Sequence, residues 1–165
     1  MNIVIRKLAL LAAPALGLAA CATTPAQAAD PLAFNHFMVA VSVADLDVET
    51  NWYVEKLGFK LDKDTKIGGG TPVRWLVNGN QRIELILAAN SQPGPARLAP
   101  PRHAGFRGYT QVTLDTPDIV AVRAALAAKG VTPAMDITEV APLGIKVMYL
   151  VDPEGNAVEI AQKLG

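Results

Sequence analysis

The chain has 165 residues, with 15 basic and 15 acidic side chains, two histidines and one cysteine. Balanced charge without a basic stripe argues against a nucleic-acid partner, and a single cysteine excludes an internal disulfide. The hydrophobic fraction of 51% is inflated by alanine and by the N-terminal segment, so it does not describe a membrane domain.

Residues 1–28 read as a signal peptide. Arg6-Lys7 form a short basic region, and Leu8 to Ala20 is an apolar run with a small-residue end, too short to span a bilayer comfortably. Leu18-Ala19-Ala20-Cys21 resembles a bacterial lipobox, in which Cys21 becomes the lipid-bearing first residue. Ala26-Gln27-Ala28 is a competing cleavage site of the ordinary kind. Both readings predict export to the periplasm. The lipoprotein reading adds a membrane anchor through the lipid alone.

The remaining residues, 34–165, are enough for one domain with a real core. Phe34 to Val43 alternates as a strand, with Phe37, Val39, Val41 and Val43 on one face and His36, Met38, Ala40 and Ser42 on the other. Asp45-Leu46-Asp47 opens a helix that stops at Gly58, with Val48, Trp52, Tyr53 and Leu57 as its expected buried stripe. Phe59 to Thr65 reads as a strand and Gly68-Gly69-Gly70 as a turn.

Thr71 to Leu87 is then strand, turn, strand, with Asn78-Gly79 as a type I′ hairpin signal. With those two residues central, Val77 pairs with Asn80, and Val73 and Trp75 fall on the side of Glu84. Residues 89–106 carry Pro93, Pro95, Pro100 and Pro101 and form a surface linker. His103 lies in it and reads as a solvated loop residue.

Residues 107–163 repeat the order. Gly108 to Asp115 is a strand with Tyr109, Gln111 and Thr113 on one face. Thr116-Pro117-Asp118 looks like a helix start, with Thr116 as N-cap and Pro117 at the first helical position, and the helix ends at Lys129-Gly130. Val131 to Ile137 is a strand and Pro142-Leu143-Gly144 a turn. In Lys146 to Gln162, Asp152-Pro153-Glu154-Gly155 suits a type I turn with a bulged three-residue loop. That places Tyr149 across from Glu159, a lone charge on a face of small residues. Residues 34–88 and 107–163 are therefore two βαβββ units, an internal repeat that gives each half a carboxylate beside an aromatic ring.

VSVADLDVETNWYVEKLGF at 41–59, RIELI at 82–86, GYTQVTLDTPD at 108–118 and YLVDPEGNAVEI at 149–160 resemble the vicinal oxygen chelate superfamily of glyoxalases, bleomycin-resistance proteins and extradiol dioxygenases. The resemblance implies an α+β fold in which two βαβββ modules curl into a mixed-sheet cleft with helices outside. It also implies a divalent metal (Zn²⁺, Ni²⁺, Mg²⁺ or Mn²⁺) held by Glu84, Gln111, Glu159 and a first-strand residue, with Glu159 and Glu84 as catalytic groups. By spacing from the helix start, the first-strand position falls on Met38, a soft thioether unsuited to hard ions; counting back from the glutamates favours His36.

Two functions follow as expectations. One is a metal-dependent lyase or isomerase acting on adjacent substrate oxygens. The other is a metal-free protein that binds a drug or aromatic small molecule with Met38, Trp75, Arg82, Tyr109 and Tyr149. A homodimer is the oligomeric expectation.

Overall fold

The computed structural model describes residues 37–165; the signal segment with Cys21, and also His36, fall outside the described residues. The first module comprises β1 (Met38–Ser42), α1 (Leu46–Leu57), β2 (Lys60–Ile67), β3 (Thr71–Asn78) and β4 (Gln81–Ile86). The second comprises β5 (Gln111–Asp115), α2 (Ile119–Ala128), β6 (Met135–Val140), β7 (Ile145–Val151) and β8 (Ala157–Lys163). Each module folds as its own four-stranded sheet, in the orders β1-β4-β3-β2 and β5-β8-β7-β6. The first strand of each runs parallel to the last, and the other pairs are antiparallel. The expected α+β repeat is therefore present.

Period-two alternation decides which faces are buried. Leu76, Ile83 and Leu85 from one sheet and Met148, Leu150, Val158 and Ile160 from the other join α1 and α2 in a single core that crosses the module boundary. Enclosing each such side chain contributes roughly 1.5–3 kcal/mol. The helix C-termini meet reciprocally: Lys56 Nζ donates to Lys129 O at 3.4 Å and Lys129 Nζ to Lys56 O at 3.1 Å. A cation at each helix end complements the other's exposed carbonyls.

Helix α1 starts where the sequence places it. Asp45 Oδ1 accepts from the backbone N–H groups of Asp47 and Val48, and Gly58 closes the helix in the left-handed region at φ 71°. Its buried stripe differs from expectation: Leu46, Glu49, Thr50 and Tyr53 face inward, whereas Val48 is 53% exposed and Trp52 and Leu57 sit at the stripe's edge. Two polar residues occupy the seam because other elements meet them there. Thr50 accepts from Arg74 of β3, and Glu49 faces the β7–β8 turn.

Three further boundaries shift. The hairpin between β3 and β4 turns on Gly79-Asn80, since Asn78 pairs with Gln81. Gly79 has positive φ and Asn80 does not, which selects a II′ rather than a I′ turn. The move re-pairs Trp75, not Val73, with Glu84 but keeps every side chain on its expected face. Asp118, not Thr116, caps α2, accepting from Ala121 N at 2.9 Å, so Pro117 stands outside the helix. Strand β6 begins at Met135 because the Val131 N–H is spent closing the end of α2 on Leu126 O. The turn at Asp152–Gly155 forms as expected, with Asp152 N bonded to Asn156 O and Gly155 at φ 83°.

Candidate functional site

Glu159 lies mid-strand in β8, flanked in register by Thr113 of β5 and Tyr149 of β7. Both neighbours present hydroxyls to it. Tyr149 OH donates to Glu159 Oε1 at 2.5 Å, and Thr113 Oγ1 to Oε2 at 2.6 Å. Gln111, two residues before Thr113 and so on the same face, adds Nε2 to Oε2 at 3.1 Å. The carboxyl group is 7% exposed with three donors on its two oxygens, the arrangement a buried carboxylate requires. Burial first, and then the Glu159 contact, push the Tyr149 phenol above its ordinary range, so it remains a donor.

The other end of Gln111 is held by the linker. A short 3₁₀ turn at Arg102–Gly105 delivers His103, whose Nε2 lies 2.5 Å from Gln111 Oε1. An amide oxygen only accepts, so Nε2 is the donor in this contact. The ring's Nδ1 is buried without a partner, and the imidazole rests on the Tyr149 ring with centroids 4.7 Å apart. The solvated loop residue of the sequence reading is thus part of the site. A proline-rich linker has no periodicity from which its contact could be read. Thr113, also absent from the expected site, was accessible to parity: it shares the Gln111 face and pairs with Glu159.

The first module's counterpart is built differently. Trp75 Nε1 donates to Glu84 Oε1 at 2.8 Å, and the indole lies under two cations, Lys63 Nζ at 4.3 Å and Arg82 at 4.8 Å from its centroid. Arg82 also approaches Asp62 at 3.8 Å.

A cleft of about 1560 Å³ opens beside these groups. The unpaired edges of β1 and β5 and linker residues 88–100 line it. Of the expected site residues, Met38, Arg82, Tyr109 and Gln111 line the cleft, whereas Glu84, Glu159, Trp75 and Tyr149 do not. Met38 is 41% and Tyr109 97% exposed, open to a ligand, while Tyr149 is 8% exposed and occupied with Glu159.

The expected metal set can be tested against these contacts. Met38 offers a thioether. Glu84 accepts from an indole, both oxygens of Glu159 accept from donors, and Gln111 turns its NH₂, not its oxygen, toward Glu159. Among the described residues no three His, Cys, Asp or Glu side chains gather to hold a metal ion. The described donors do not fit the expected divalent ion, because an ion there would have to displace three hydrogen bonds from a buried carboxylate.

Two four-stranded sheets built from repeated βαβββ modules, with a glutamate on the face of each sheet turned away from its helix, define the glyoxalase-like fold of the vicinal oxygen chelate class. The chain belongs to the Glyoxalase/Bleomycin resistance protein/Dioxygenase superfamily, whose family model matches residues 33–160. Similar solved structures include a glyoxalase family protein from Enterococcus faecalis, at 23% identity over 79% of this chain and 97% of that one, TM-score 0.59. A glyoxalase/bleomycin resistance protein from Streptomyces sp. CB03234 is 20% identical over 78% of this chain and 100% of its own, TM-score 0.58. The antibiotic binding protein TnmS3 from the same source is 20% identical over 80% and 98%, TM-score 0.59. At these identities the likeness establishes the fold. A comparison with curated proteins finds no match.

Proposed function

We propose that this protein is an exported, metal-free binding protein for an apolar or aromatic small molecule. The observation that carries the reading is the division between cleft and carboxylates. The open volume is bordered by Met38, Val39, Val41, Val112, Leu98 and Tyr109, with Arg82 and Gln111 as polar fixtures. Apolar walls with a few convergent polar groups suit small-molecule capture. Glu159, the group a proton-shuttling enzyme would use, is instead enclosed by three donors, and two of these, Gln111 and Thr113, line that volume where the carboxylate does not. Arg82 and Arg97 line the cleft against one carboxylate, Glu154, so its charge favours a ligand bearing a carbonyl or anionic oxygen over a cationic one. An antibiotic binding protein of the same fold is consistent with this use. Export rests on the signal-like residues 1–28, and the lipid anchor on Cys21.

The test is a titration of the purified protein with a panel of aromatic acids and aromatic antibiotics, followed by tryptophan fluorescence with and without chelator. Saturable binding indifferent to chelator supports the reading. Binding or turnover that appears only on adding Ni²⁺, Zn²⁺, Mn²⁺ or Mg²⁺ overturns it in favour of a metal-dependent lyase or isomerase.

A further inference from the structure

Helix α1 buries a carboxyl group that the site does not use. Glu49 is 1% exposed, and both its oxygens are buried with no hydrogen-bond donor. It lies one helical turn before Tyr53 on the same buried face, and Tyr53 OH reaches Asp152 of the β7–β8 turn, itself 4% exposed. Asp152 already accepts three hydrogen bonds, which leaves one of its lone-pair directions open. Oδ1 takes Asn156 N at 2.7 Å, and Oδ2 takes Asn156 Nδ2 at 2.8 Å and Tyr53 OH at 3.2 Å. Glu154 of the same turn accepts from Ala44 N, just before α1, at 2.5 Å. Tyr53 is itself held in its neutral form by burial and by Asp152. Arg74 of β3, which reaches the adjoining Thr50, is bound to Asp47, Thr50 and Asp64. Among the described residues no Lys, Arg or His pairs with Glu49 or Asp152.

An ionised Glu49 would be a buried charge with no counter-ion, beside two further carboxylates. A protonated Glu49 brings an O–H donor that the open lone pair of Asp152 can accept. We propose that Glu49 is a proton-operated clamp: as a neutral acid it hydrogen-bonds Asp152 and holds the α1 face of one module to the turn of the other, and losing that proton loosens the junction. Desolvation, and after it repulsion from Asp152, raise the Glu49 carboxyl from 4.5 to about 9. The folded protein therefore holds a proton that the unfolded chain has released. The stabilisation is fully present below the unfolded value and fades as pH rises through the folded one.

The clamp also reaches the cleft. Ala44, Tyr53, Glu154 and Asn156 all line one end of the cavity, so opening the junction should alter ligand retention. That consequence rests on the binding function proposed above; the clamp itself does not.

The decisive experiment is equilibrium urea unfolding of the purified wild type and Glu49→Gln across the interval from 4.5 to about 9. The amide keeps the shape and a donor but does not titrate. The ratio of the variant's folding constant to that of the wild type should climb with pH, by up to about tenfold per unit. Glu49→Gln should be the more stable protein at mildly alkaline pH. Parallel pH profiles for the two proteins overturn the clamp. Should Glu49→Gln fail to fold, ¹³C NMR of the wild-type Glu49 carboxyl carbon decides: a midpoint in the alkaline range supports the proposal, and one in the ordinary carboxylate range refutes it. Ligand binding that fails at every pH while the stability slope persists would reject the binding function and leave the clamp standing.

Discussion

His103 Nε2 sits 2.5 Å from Gln111 Oε1, which joins the linker between the modules to the buried carboxylate of the second module through one amide. Gln111 also lines the cleft, so the contact ties the linker to a cleft residue. Replacing His103 with alanine removes one hydrogen bond and the imidazole packed on Tyr149. Losing that hydrogen bond should lower folding stability by about 1 kcal/mol. Stopped-flow fluorescence should show faster ligand dissociation for His103→Ala alongside that small loss of stability. An unaltered off-rate would mean the linker does not restrain the ligand.

Tyr149→Phe leaves Glu159 buried with a donor missing from Oε1. The expected destabilisation is about 1–3 kcal/mol, because an unsatisfied buried acceptor costs more than a hydrogen bond contributes on average. Thr113→Val should cost a similar amount from the other oxygen. Combined in one chain, the two should deviate from additivity, since both act on one carboxylate. Urea midpoints of the singles and the double provide the measurement.

Much of this arrangement was open to inspection in the primary structure. Alternation along β7 and β8 put Tyr149 opposite Glu159 once the Asp152–Gly155 turn was recognised, and the coordinates agree residue for residue. The Trp75–Glu84 pair was one turn position away from being read directly. Parity preserved its face even though the turn moved to Gly79-Asn80. What pattern could not reveal was the inner seam of α1. Glu49 and Thr50 break the apolar stripe, and their reason for being inside lies in partners far along the chain. His103 stayed hidden for a related reason: a contact made by an aperiodic segment has no local signature.

Met38→His tests the metal question from the opposite direction. In a site short of one ligand, a new imidazole would raise affinity for Ni²⁺ or Zn²⁺ strongly. Here Glu84, Gln111 and Glu159 are already hydrogen-bonded, so the gain should stay below about tenfold by isothermal titration. A larger gain would show that those three groups reorganise readily around an ion. Loss of a wild-type metal signal in His36→Ala would instead assign the first ligand to a residue outside the described part of the chain.

For the exported form, Cys21→Ala should shift the protein from the membrane fraction to the soluble periplasm or leave it unprocessed. Stable attachment takes more than one acyl chain, which a lipoprotein cysteine would carry. A wild-type protein that is already soluble and begins near Ala29 would favour the ordinary cleavage site.

The core that passes from one sheet to the other has a practical corollary for dissecting the molecule. Leu76 and Leu85 share their packing with Met148 and Ile160, and the two helix ends exchange lysines, so neither module can bury its apolar face alone. Severing the exposed linker near Gly94 would yield two fragments that are each unfolded in isolation yet assemble into a native-like heterodimer when mixed. The chain would then serve as a split reporter, its reconstitution driven by apolar surface that covalent continuity ordinarily keeps hidden.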